Sequence, residues 1–384
     1  MKYLNRTLQD ALKNRLKQFP AVAVLGPRQC GKSTLARHVI ENLDAVYLDL
    51  EIPSHLNKLN DAESFLRANK DRLVCLDEVQ RAPELFPILR GLCDEKRTPG
   101  RFLILGSASP ELLRQSSESM AGRIAYLDLT PFLISELKSG DLSRHWLRGG
   151  FPDSFLATSD EASLIWRQNF IRTYLERDLR LYETSLSETT MRRLWTMLAH
   201  ANGQTLNAAK LAESIGVSAP TIRRYIDFLE HTYMLRQLHP WFVNVKKRLV
   251  KSPKLLFRDT GLLHALLNIQ DRNSLFGHPV YGCSWESYVA AQLAGAADGQ
   301  WNFYYYRTAK GDELDLVLQR GDRLMAVECK ASASPQPSAG FYRSLDDLGL
   351  EQGYIVAPLD DEQEYPLNER ATVISPTLLA ARLA

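Results

Sequence analysis

The first residues that invite a chemical reading are Gly26-Pro27-Arg28-Gln29-Cys30-Gly31-Lys32-Ser33-Thr34. The spacing GxxxxGK[ST] lets backbone N–H groups turn inward around a string of phosphates, because Gly26 and Gly31 allow the chain to bend and approach closely. Lys32 then reaches the β and γ phosphates, and the Ser33 hydroxyl is a ligand for Mg²⁺. Downstream, "RLVCLDEVQ" ends an apolar run in Asp77 and Glu78. Asp77 is suited to orienting the Mg²⁺ shell and Glu78 to polarising an attacking water, since phosphoryl transfer depends on positioning and charge stabilisation. "RFLILGSAS" carries Ser107 where a hydroxyl can sense the γ-phosphate.

All three motifs close short apolar runs, and a helical pattern follows the first. That alternation predicts an open α/β sheet, in which ligands collect at the carboxyl ends of the strands.

A second concentration of charge lies in "GDELDLVLQRGDRLMAVECK", residues 311–330. Two period-two strands flank Gly321-Asp322, with glycine where a type II′ turn needs it. A two-residue loop pairs Arg320 with Arg323, sets Asp315 opposite Glu328 and faces Glu313 with Lys330. Paired carboxylates on one face repel unless a cation lies between them. Hard oxygen ligands favour Mg²⁺ or Mn²⁺ there.

Between these regions, residues 161–201 contain no Pro or Gly and read as helices. Arg167, Arg172, Arg177 and Arg180 either line a nucleic-acid channel or solvate a helix face. "TLNAAKLAESIGVSAPTIRRYIDFLEHTYML" reads as two short helices with Ser218 as N-cap and a core of Leu211, Ile215, Val217, Ile222, Ile226 and Leu229. The second helix presents Thr221, Arg223 and Arg224. A strand pair with a basic turn at Lys246, Lys247 and Arg248 completes a winged-helix pattern. From His231 to Arg258 there are seven Lys or Arg and no Asp or Glu, which suits phosphate contacts with DNA. A protein-binding spacer is the competing use.

The 384 residues, 45% hydrophobic and 24% charged, exceed one ordinary domain. No apolar run is long enough for a membrane helix, and the N-terminus lacks a signal-peptide pattern, so a cytoplasmic location is expected. The five cysteines are scattered singly, which suggests neither a disulfide framework nor a zinc site.

With these motifs in view, the chain resembles an AAA+ ATPase, and in particular a bacterial and archaeal family that joins a "GPRQxGKST" module to a C-terminal region labelled DUF4143. "SMAGRIAYLDLTPFLISEL" and "LRGGFPDSF" look like recurrent segments of that family. The resemblance implies ATP as ligand, Arg123 as an arginine finger or sensor against a structural salt bridge as the alternative, and a lid opening at Gly149-Gly150-Phe151-Pro152. The C-terminal segment is similar to PD-(D/E)XK nucleases. That likeness implies Asp315 and Glu328 as metal ligands, Lys330 as the residue orienting water, and Glu286 on a helix as an assisting acid.

The expected architecture is α/β: an AAA+ P-loop ATPase core at 1–140, a helical lid or connector at 141–200, a winged helix at 201–257 and a nuclease-like domain at 258–384. The expected function is ATP-dependent binding and remodelling or processing of DNA by a homo-oligomer, with Mg²⁺-dependent cleavage a secondary activity. The alternative is an ATP-switched regulatory protein whose last two domains are scaffolds.

Overall fold

Each apolar run of the N-terminal third becomes a strand: β1 (Ala21–Leu25), β2 (Ala45–Asp49), β3 (Leu73–Asp77), β4 (Phe102–Gly106) and β5 (Ile124–Asp128). In the computed structural model, which describes residues 3–107, 120–177, 187–242, 247–297, 299–359 and 362–383, these strands form one sheet in the order β2-β3-β4-β1-β5. All of its pairings are parallel. Helices α1 (Leu8–Leu16), α2 (Lys32–Ile40), α3 (Pro53–Leu56), α4 (Ala62–Ala68) and α5 (Leu85–Glu95) accompany it.

A strand's side chains alternate between faces, so β1 serves two cores at once. Val22 and Val24 pack with Leu35 and Val39 on one face, while Ala21, Ala23 and Leu25 join a cluster containing Phe86 and Leu89 on the other. Residues Met1–Phe132 and His231–Tyr233 make up this first unit.

The second unit, Leu133–Glu230 with Met234–Ala384, begins with helices α6 (Leu142–Arg148), α7 (Pro152–Phe155), α8 (Asp160–Arg177), α9 (Glu188–His200), α10 (Ala208–Ile215) and α11 (Ala219–His231). Strands β6 (Leu235–Pro240) and β7 (Lys254–Phe257) form an antiparallel pair. Then follow α12 (Thr260–Leu266), α13 (Arg272–Phe276), α14 (Tyr281–Ala296), β8 (Asn302–Arg307), β9 (Glu313–Arg320), β10 (Arg323–Cys329), α15 (Ala339–Leu348), β11 (Gly353–Val356), β12 (Glu364–Asn368), β13 (Ala371–Ile374) and α16 (Pro376–Ala381).

The chain divides at Phe132/Leu133, near the expected boundary at 140/141, whereas the expected boundaries at 200/201 and 257/258 fall inside the second unit. One eight-stranded sheet runs β12-β13-β11-β10-β9-β8-β6-β7, so the strand pair assigned to a free wing is the edge of the C-terminal sheet. One apolar cluster holds Trp146, Trp195, Ile222, Leu255, Trp285 and Leu316 together. Polar contacts close the same seams: the Asn202 Oδ1 accepts from Phe257 N–H and from Ser287 Oγ, each at 2.9 Å. The glycine turn expected to open a lid packs against the start of α12. Gly150 N–H donates to Asp259 Oδ2 at 2.8 Å, and a Cβ on Gly149 would fall 2.2 Å from Asp259 Oδ1.

Candidate functional site

The loop after β1 is held by its own backbone. Gln29 and Gly31 take φ of 59° and 101°, and a Cβ on Gly26 would stand 2.2 Å from the Leu129 carbonyl oxygen. Only glycine fits at Gly26, and Gly31 adopts the left-handed conformation that starts α2. Gly26, Pro27 and Cys30 are buried, Arg28, Gly31 and Ser33 are half-buried, and Gln29 and Thr34 are exposed. Lys32 is 5% exposed. Its ammonium donates to the carbonyls of Gly26 at 3.1 Å and Pro27 at 2.8 Å, so a deeply buried cation is held by loop dipoles. That arrangement, at the N-terminus of a helix, fits a polyphosphate.

The parallel sheet brings the other two motifs to the same edge. Because β4 lies between β1 and β3, Ser107 projects from the strand separating the loop from the Asp77-Glu78 pair. Among the described residues its buried Oγ has no hydrogen-bond partner, the state of a group that awaits a ligand or water. Asp77 is 2% exposed; it accepts from the Glu78 N–H at 2.9 Å and from the Tyr47 hydroxyl. Glu78 adopts a left-handed φ of 56°, an uncommon conformation for a glutamate. Its carboxylate accepts a hydrogen bond from the Gln80 amide.

Three residues that the motif reading overlooked support this edge. Tyr47 pairs opposite Cys75 in the neighbouring strand and carries the Arg37 guanidinium over its ring at 4.6 Å. Burial and the Asp77 hydrogen bond hold its phenol above the ordinary range. Arg6, 5% exposed, reaches the loop from the N-terminal segment. Gln80 is legible only as the residue after Val79 in "DEVQ", with nothing local to mark it.

Arg123 does not face this site as a free cation. It grips Asp94 through Nε at 2.6 Å and Nη2 at 2.9 Å, and donates through Nη1 to the Ala121 carbonyl. The structural ion pair is the alternative that the geometry favours.

In the C-terminal sheet, α14, β8, β9, β10, α15 and β11 follow one another, with β8, β9 and β10 antiparallel and β11 parallel to β10. The hairpin register runs from Arg323↔Arg320 to Val327↔Leu316, as the turn signal requires, and Gly321 has φ 58°. Beyond that point the side chain of Asp315 replaces the ladder, with Oδ2 accepting from Cys329 N–H at 2.8 Å.

The carboxylates here face ammonium groups. Lys254 Nζ lies 2.8 Å from Glu286 Oε1, 2.6 Å from Glu313 Oε1 and 3.7 Å from Asp315 Oδ1. Lys330 Nζ lies 2.7 Å from Glu328 Oε1. Burial raises the carboxyl of Glu286 to about 8, against the pull of Lys254. It raises Glu328 to about 7, with Asp315 adding to the shift. Among the described residues no three or more His, Cys, Asp or Glu side chains are arranged to hold a metal ion. The expected metal ligands Asp315 and Glu328, and Glu286 beside them, are each turned toward an ammonium group. The sequence reading gave Lys254 no role.

Three comparisons bear on these sites. Residues 18–138 match the AAA domain family AAA_14, residues 139–273 a domain of unknown function, DUF8612, and residues 281–379 the domain of unknown function DUF4143. Two uncharacterised mycobacterial proteins, Rv2008c of Mycobacterium tuberculosis and Mb2031c of Mycobacterium bovis, are each 43% identical over 94% of this chain and 81% of their own length. The chain belongs to the AAA_14–DUF4143 family. Among solved structures, the Walker-type ATPase PABY2304 of Pyrococcus abyssi is similar in fold, with a TM-score of 0.52 at 14% identity over 69% of this chain and 96% of that one. The first unit of this AAA_14–DUF4143 protein is thus an AAA-type P-loop ATPase module.

On the helices of the second unit, the expected DNA contacts diverge. Arg223 and Arg224 are exposed on α11, whose opposite face buries Ile222, Ile226 and Leu229. Thr221 is half-buried and shares a hydrogen bond with Ser218 at 2.8 Å. Lys247 is engaged by Asp347 at 2.7 Å and Asp312 at 3.8 Å. Arg248 is exposed, while its carbonyl accepts from Ala309 N–H. Lys246 and Arg180 lie outside the described residues. Arg167, considered for a nucleic-acid channel, is wholly buried and donates to the Leu147 and Gly261 carbonyls. Among the described residues no helix is long and apolar enough to cross a membrane.

Proposed function

We propose that this AAA_14–DUF4143 protein hydrolyses ATP with Mg²⁺ and couples turnover to DNA held against helix α11. The observation that carries the ATPase half is the convergence of buried Lys32, buried Asp77 and the orphaned Ser107 hydroxyl at one sheet edge. Lys32 would exchange its loop carbonyls for the β and γ phosphates, and Glu78 would accept a hydrogen bond from the attacking water. Ser33 and Asp77 are the residues placed to hold Mg²⁺, which would neutralise charge on the phosphates. Assembly into a homo-oligomer rests on the family resemblance, and the pairing of Arg123 with Asp94 removes one support for it.

The DNA half rests on Arg223 and Arg224, exposed at the start of a helix whose other side is core. Such contacts go to phosphates and position the protein without reading sequence. A second reading, an ATP-driven switch with scaffold domains, is favoured by Lys247, whose charge is already spent on Asp347.

The test is ATP turnover and DNA affinity over a range of salt. DNA should accelerate hydrolysis, and Glu78→Gln should lower kcat by about 10² to 10⁴ while ATP still binds. Replacing Arg223 and Arg224 with alanine should reduce the salt slope by roughly 1 to 2, whereas Lys247→Ala should leave it unchanged. ATP hydrolysis with no response to DNA would decide for the switch.

A further inference from the structure

We propose that Lys254 is the resident cation of the C-terminal carboxylate cluster: its ammonium engages Asp315, one of the two carboxylates that the nuclease resemblance assigns to a divalent ion, together with Glu286 and Glu313, and it ties β7 to α14 and β9. The inference is independent of the ATPase and DNA readings.

The first argument is geometric. One ammonium meets carboxylate oxygens of Glu286 from α14 and of Glu313 and Asp315 from β9, at 2.8, 2.6 and 3.7 Å. Lysine offers three N–H donors around a compact charge. The remaining oxygen of Asp315 is taken by the Cys329 N–H, and Glu328 is turned to Lys330. Two carboxylates are thereby drawn to opposite ammonium groups, so their oxygens do not converge on a common ion.

The second argument is burial. Lys254 is 1% exposed and Glu286 6%. An ammonium at that depth is costly unless fully paired, and removing its partners strands it. The Tyr305 ring lies 5.4 Å from Nζ and lends its negative face to the cation.

The third argument is the anchorage of the backbone. Lys254 pairs with Leu238 of β6 and bridges to Thr205, while the Pro253 carbonyl accepts from Leu206 N–H at 2.8 Å. The backbone that carries the side chain is thus held on both sides, and what keeps the ammonium in place is its pairing with the three carboxylates. A lysine fixed in this way is a built component, and a divalent ion would have to displace it against like charge.

The experiment is Mn²⁺ titration of the nucleotide-free full chain, followed by electron paramagnetic resonance and by thermal melting. Wild type should show no stoichiometric Mn²⁺ binding that depends on Asp315. Lys254→Met removes the charge while keeping the length, and should gain Mn²⁺ affinity by at least about tenfold. Adding Asp315→Asn should abolish the gain, and Mn²⁺ should raise the melting temperature of Lys254→Met alone. One tight Mn²⁺ per wild-type chain, lost in Asp315→Asn, would overturn the proposal, as would a folded Lys254→Met with no gain in affinity. If Lys254→Met does not fold, the wild-type and Asp315→Asn titrations decide by themselves.

Discussion

Arg6 Nη1 donates to the carbonyl of Cys30 at 3.0 Å, while its Nη2 donates to the carbonyl of Thr130 at 2.6 Å. A residue outside the phosphate-binding motif thus fixes the apex of the loop to the chain leaving β5, with the Phe132 ring 4.9 Å beneath the guanidinium. Hydrogen bonds from a charged donor contribute about 1.5 to 3 kcal/mol each. Arg6→Ala is therefore expected to weaken ATP binding by about tenfold or more. Equilibrium titration with a fluorescent ATP analogue checks this; unchanged affinity would mean that the loop holds its shape without the clamp.

Gln80 bears on turnover, where Arg6 bears on binding. Its amide restrains the Glu78 carboxylate, and among the described residues its own buried Oε1 has no hydrogen-bond partner. Gln80→Ala frees Glu78 from that restraint, so kcat should fall by about tenfold while nucleotide affinity stays within about twofold. Gln80→Glu sets two carboxylates side by side and should be the worse of the two. Steady-state kinetics beside ATP titration separates the terms, and a parallel loss of binding would assign Gln80 a purely structural part.

Acid should loosen the second unit through His264. Its Nδ1 meets the Leu147 carbonyl at 2.9 Å and its Nε2 the Ser284 hydroxyl at 2.7 Å. A carbonyl only accepts, so Nδ1 carries the proton and Nε2 accepts from Ser284, which itself accepts from the Trp146 indole. Burial pushes the imidazole down to about 3 from an ordinary 6.5. The unfolded chain binds the extra proton first, so stability is complete above pH 6.5 and declines from there toward pH 3. The slope is at most about 1.4 kcal/mol per pH unit from this one group. Chemical denaturation at pH 7 and pH 5 should show it for wild type and show less for His264→Asn.

Much of the first unit is legible in the sequence because its determinants are local. Gly26, Gly31 and Lys32 act within one turn of chain, and a five-residue apolar run between loops has few options but a buried parallel strand. The register of β9 and β10 is equally local, since Gly321 and Asp322 fix it. Lys254 is different. Its partners lie 32, 59 and 61 residues along the chain, and nothing near "PKLLF" distinguishes a lysine that is buried from one that is solvated. The boundaries at 200/201 and 257/258 fall inside one unit for the same reason: period-two patterning identifies β6 as a strand but not that β8 completes its edge.

The pairing of β6 with β8 also bears on how the chain matures. His239 and Pro240 align with Tyr304 and Tyr305, and the Trp301 indole donates to the Leu383 carbonyl at 3.1 Å. Synthesis therefore passes the whole stretch from Leu235 to Leu383 before the edge and the far end of this unit are both closed. Until then Leu238 and Leu255, which end at 1% and 2% exposure, have no complete core to enter. Contacts of such long sequence separation form slowly and leave apolar strands open to misassembly. Nascent chains halted between β7 and β10 are the ones a ribosome-associated chaperone would be expected to hold.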